Sequence, residues 1–118
     1  MDTGRIKMEN FQGILYCEAY MNDEFTLNDL ESMREEIRNN YSPPTDVILK
    51  KTGTYSVSAQ AQVVLWRGVD EFRNFVYVAD ELMKKESAEY AAENYMSPYN
   101  TRVASTKEEA YAMLRENR

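Results

Sequence analysis

Thr45–Arg67, TDVILKKTGTYSVSAQAQVVLWR, is the stretch from which the fold is read. Asp46-Val47-Ile48-Leu49 is a short apolar run of the kind that forms a buried strand. A turn-rich segment with Gly53, Tyr55, Ser56 and Ser58 follows it. Ala59 to Trp66 is then mostly apolar at helical length. A strand that feeds a helix through a loop at its carboxyl end is where open α/β sheets place their binding sites.

The pattern repeats on both sides. Before it, Phe11–Met21 predicts a strand with two largely apolar faces, the one with Leu15, Cys17, Ala19 and Met21 being the more apolar. Thr26, with Asp29 three positions on, predicts a capped helix, and Leu27, Leu30, Met33 and Ile37 supply its apolar stripe. Ser42-Pro43-Pro44 ends it, since proline cannot continue a helix. After it, Gly68 is a helix end and Asn74–Asp80 predicts a central strand with β-formers on both faces. A helix is expected over Glu81–Met96, with Leu82, Met83, Ala88, Tyr90, Ala91, Tyr95 and Met96 available for burial. Thr101–Ala104 is a short strand. Ser105 or Thr106 caps a final helix that turns Ala110, Met113 and Leu114 inward. Residues 1–10 are either unstructured or a leading strand. Alternation of this kind implies an α/β fold with four to five strands in a mainly parallel sheet.

Composition narrows function more by exclusion than by indication. The chain has 118 residues, a net charge of −6 and no histidine. One domain is expected at this length. The acidic balance argues against nucleic acid and anionic membranes as partners, and no apolar run approaches the ~20 residues of a membrane span. The absence of histidine removes histidine-based triads, histidine metal sites and the usual group that titrates near neutrality. Cys17 stands alone on a strand expected to be buried, which points to an unreactive thiol and a reducing cytoplasm. No cofactor and no metal site are expected. The acidic pairs Asp23-Glu24 and Asp80-Glu81 need no cation, because carboxylates near helix starts are explained by the helix dipole.

The order and register of these elements resemble the STAS domain family, to which bacterial anti-sigma-factor antagonists belong. The resemblance runs over residues 13–115. Asp46-Val47-Ile48-Leu49 sits at the family's strand, and Val57-Ser58-Ala59-Gln60-Ala61-Gln62-Val63-Val64-Leu65 at the opening of its helix. Arg102-Val103-Ala104-Ser105-Thr106-Lys107-Glu108-Glu109-Ala110, then Met113-Leu114, is similar to its closing pattern. The resemblance implies one STAS-like domain over 1–118 and a regulatory, non-enzymatic role. Ser58 falls on the serine that true antagonists have phosphorylated. However, Val57 replaces the aspartate before it, and Ala59-Gln60 replaces the glycine after it. A kinase reading the family motif is not expected to accept this loop. Stand-alone SpoIIAA-like members without the phosphorylation motif are closer in character.

Two surfaces are candidate sites. Tyr55, Ser56, Ser58, Gln60 and Gln62 would form a partner- or phosphate-binding loop, although a helix cap is the better explanation of one of the serines. Trp66, Tyr90, Tyr95, Met96 and Tyr99 would form an apolar pocket or interface. The chain has nine tyrosines and seven methionines, and such side chains suit adaptable binding as well as core filling. The leading expectation is a protein-interaction module that binds a protein partner or a second copy of itself. The alternative is a protein that binds an apolar or lipid-like small molecule.

Overall fold

The structure is a computed structural model and describes residues 1–116. Five strands, β1 (Ile6–Phe11), β2 (Ile14–Ala19), β4 (Thr45–Lys51), β6 (Phe72–Val78) and β7 (Arg102–Ala104), form one sheet in the order β1-β2-β4-β6-β7. Only β1 runs antiparallel to its neighbour. The helices are α1 (Leu27–Asn40), α2 (Ala59–Arg67), α3 (Leu82–Glu93) and α4 (Lys107–Glu116). A two-residue ladder joins β3 (Glu24–Phe25) to β5 (Ser56–Val57) outside the main sheet.

Both faces of the sheet are covered, as a parallel sheet requires. Leu15, Cys17, Val47, Leu49, Phe75 and Tyr77 face a core closed by Leu30, Met33 and Ile37 of α1, Ala61 and Leu65 of α2, and Ala88 and Ala91 of α3. On the other face Ile14, Tyr16, Ile48, Val76 and Val78 meet Ala110 and Leu114 of α4. Three helices therefore share one side and α4 covers the other.

The helix starts follow their caps. Thr26 and Asp29 exchange the two hydrogen bonds of a capping box. The Ser58 hydroxyl accepts from the Ala61 amide at 3.2 Å, and Thr106 accepts from the Glu109 amide at 3.1 Å. Gly68 ends α2 with φ of 106°, a conformation glycine reaches without penalty.

Two segments differ from expectation. Phe11–Met21 is not one strand: Gln12 and Gly13 form a two-residue hairpin turn with φ of 53° and 86°. Positive φ at both positions matches the right-handed twist of the flanking strands. Ile6–Phe11 is thus a leading strand, hydrogen-bonded along β2. The expected helix over Glu81–Met96 stops at Glu93, and a separate turn of 3-10 helix covers Ser97–Tyr99. Within α3, Leu82 and Met83 are not buried but exposed, at 72% and 82%.

Candidate functional site

The loop after β4 is pinned from two sides. The Thr52 and Gly53 amides both donate to the Ala19 carbonyl, at 3.1 and 2.9 Å. Gly53 packs so closely that a Cβ would lie 2.0 Å from the Met21 carbonyl oxygen. Asn22 accepts from the Thr54 amide at 3.0 Å. Beyond it, the Ser58 amide donates to the Phe25 carbonyl at 3.0 Å. Arg5 secures the opposite wall, donating to Asp29 at 2.9 Å, to Asp23 at 2.9 Å and to the Glu24 carbonyl. The start of β1, the cap of α1 and the β4–α2 loop thereby form one hydrogen-bonded unit.

The expected loop surface is divided by this packing. Ser56 and Gln60 are exposed, and Gln62 is half-buried with its amide donating to the Val57 carbonyl at 2.9 Å. Tyr55 and Ser58 are buried. The Ser58 oxygen is occupied as the α2 cap, so the hydroxyl is a structural group in this conformation.

The expected apolar cluster is also divided. Trp66 and Tyr90 are 60% and 63% exposed, and Val63 is exposed beside them. With Gln62, Tyr95 and Asn94 they line a groove of about 570 Å³ between α2 and α3. Met96 and Tyr99 lie in the core instead. The Tyr99 hydroxyl donates to the Leu65 carbonyl at 2.5 Å and accepts from the Val69 amide at 2.9 Å. It thus satisfies the end of α2 rather than facing a ligand. The cavity inside the larger core, lined by Phe25, Leu30, Tyr55, Phe75 and others, has about 20 Å³ of free volume, room for about one water.

Sequence reading misses a buried lysine whose amine is held away from its ordinary charged state. Lys51, the last residue of β4, is 6% exposed. Its Nζ lies 3.9 Å from the Tyr55 ring centroid and 5.5 Å from that of Tyr77. Among the described residues no oxygen accepts a hydrogen bond from it. Burial, and then the neighbouring Lys84 ammonium, push its pKa down to about 8. Lys51, Lys84, Asp23, Ser56 and Met83 line a concavity of about 350 Å³ at the carboxyl end of β4. Lys84 donates to the Thr52 carbonyl at 2.9 Å and pairs with Glu81 at 3.6 Å. The Asp23 carboxylate is held by Arg5. In sequence, Lys50-Lys51 is indistinguishable from a solvated strand end; only the closeness of two tyrosines from other segments changes its character.

Cys17 is fully buried, and burial, then Glu36, raise its thiol pKa well above the ordinary range. Among the described residues no three acidic, cysteine or histidine side chains gather as metal ligands, and no helix is long and apolar enough to cross a membrane.

No family model matches the chain, and no curated protein does. A solved structure does: an uncharacterized protein of the DUF3478 family from Shewanella loihica PV-4, described as having a SpoIIAA-like fold. The two are 15% identical, and the match covers 92% of this chain and 91% of that one with a TM-score of 0.61. The likeness extends over most of the chain rather than over one motif. The fold of this chain is SpoIIAA-like.

Proposed function

We propose that this chain is a non-enzymatic, regulatory protein-interaction module of the cytoplasm that docks another protein chain, in the first instance a second copy of itself, in the α2–α3 groove. One observation carries the reading: Val63, Trp66 and Tyr90 stand exposed along one groove, where a core of aromatic side chains with a polar rim suits a protein interface. Leu82 and Met83 extend the apolar surface along α3. α3 itself is held to the sheet mainly by the small side chains Ala88 and Ala91, so its large apolar groups remain available to a partner. The SpoIIAA-like fold supports the regulatory part of the reading, and a chain without histidine, and so without histidine-based acid–base or triad chemistry, supports the non-enzymatic part.

An apolar small molecule is the second reading, favoured by the same groove, whose volume falls among those of ligand sites. The water-sized core cavity does not serve this reading. Native mass spectrometry of detergent-free protein separates the two. A dimer supports docking, whereas a monomer carrying a co-purified small molecule supports the ligand reading and defeats the first.

A further inference from the structure

The concavity at the end of β4 is a different place from the docking groove, although one stripe of α3 serves both. Met83 and Ser87 line the concavity, and Tyr90 and Asn94 line the groove. The two therefore lie in succession along one helix face. What distinguishes the first is Lys51. A lysine becomes a nucleophile at neutral pH when it is desolvated in an apolar setting or set beside another cation. Lys51 meets both conditions, with the Tyr55 and Tyr77 rings as walls and Lys84 as the neighbouring cation. It also lacks the carboxylate partner that a buried structural lysine normally has, and it opens onto space sufficient for a small molecule.

We propose that Lys51 is a reactive amine and that this concavity takes a small 2-oxo acid whose carboxylate is held by Lys84. The neutral Lys51 Nζ adds its lone pair to the carbonyl carbon, forming a C–N bond. The carbonyl oxygen then leaves as water with the two amine hydrogens, and a C=N bond remains. The step is reversible by water and needs no oxidant or reductant. It stands independently of the docking reading, because Lys51 and Lys84, which carry it, do not line the groove; only Met83 lines the concavity and also extends the docking surface.

The charged and titratable groups around Lys51 are few. Lys84 comes from α3 and Glu81 from the residue just before it, Asp23 from the turn before β3, and Tyr55 and Tyr77 from the walls. Glu81 lies against Lys84, and Asp23 lies against Arg5. Both carboxylates are therefore engaged with other cations, and the amine keeps its low proton affinity.

Glyoxylate, the smallest aldehyde with a carboxylate, is a suitable probe. The native full chain is incubated with glyoxylate and cyanoborohydride, which reduces any C=N bond to a stable secondary amine, and its six lysines are followed by peptide mass spectrometry. Lys51 should acquire the carboxymethyl group at least roughly tenfold faster than Lys7, Lys50, Lys85 or Lys107. Its rate should rise with pH through a midpoint near 8. Acetaldehyde should show a much smaller preference. Lys84→Met should slow the Lys51 reaction, and Lys51→Arg, which keeps the charge, should remove the fast adduct while leaving the fold intact by circular dichroism. Labelling of Lys51 no faster than that of the other lysines overturns the proposal. Equal preference with acetaldehyde overturns the carboxylate's part in it.

Discussion

Replacing Lys51 by methionine should make the protein more stable near neutral pH, although a charged residue with two aromatic contacts is lost. Lowering the ammonium pKa from 10.5 to about 8 corresponds to about 3 kcal/mol of preference for the neutral form. The contact with Tyr55 at 3.9 Å returns about 1–2 kcal/mol as a cation–π interaction. Desolvation therefore wins by about 1–2 kcal/mol, and methionine keeps the packing of the stem without the charge. The sign with pH follows from linkage. The folded pKa lies below the unfolded one, so between about 8 and 10.5 the unfolded chain holds more protons and wild-type stability rises with pH. Tyr55 and Tyr77 act oppositely, since burial raises both well above 10.0, and folded-state stability falls once pH exceeds the unfolded tyrosine value. Wild type should thus be most stable near the crossing of these two effects. Urea unfolding of both proteins across this range measures it. The Lys51→Met protein should start higher and lack the rise. A variant less stable than wild type at neutral pH, or a wild type with no alkaline rise, would refute the reasoning.

Two further substitutions probe the loop. Gly53→Ala should cost about 2–4 kcal/mol, because its Cβ would meet the Met21 carbonyl oxygen and the backbone around it at 2.0 to 2.8 Å; thermal unfolding reads this directly. Ser58→Ala should cost about 1 kcal/mol through loss of the cap. Ser58→Glu should cost more, because a larger charged group would be forced into a buried position. A glutamate variant as stable as wild type would show that the loop can open to admit a phosphate.

The parts of the fold legible in the sequence are those set by local chemistry. Thr26 with Asp29, Ser58 and Gly68 each mark a helix end through their own hydrogen bonds or backbone freedom, and the structure places each at that end. The apolar runs Val47–Leu49 and Phe75–Val78 lie inside the sheet. The hairpin was hidden because Gln12-Gly13 lacks the usual Asn-Gly signal and apolar residues continue on both sides of it. α3 was overfilled because its large side chains look like a core stripe, whereas alanines make its contact with the sheet and the turn after it carries Met96 and Tyr99 inward. Trp66 and Tyr90 are legible together as aromatic residues on consecutive helices, with Tyr95 in the turn just beyond, but the exposure of the first two is not. Lys51 was not legible at all. Its burial is made by Tyr55 and Tyr77, and which side chains meet over a strand end is a tertiary property.

Light scattering coupled to gel filtration, run on wild type and Trp66→Ser at matched concentrations, tests the docking groove most directly. Trp66 is mostly exposed, so the substitution should change stability by no more than about 0.5 kcal/mol and any change in mass reports on association. Wild type should run as a dimer and the variant as a monomer. A wild type that runs as a monomer indistinguishable from Trp66→Ser would contradict the account.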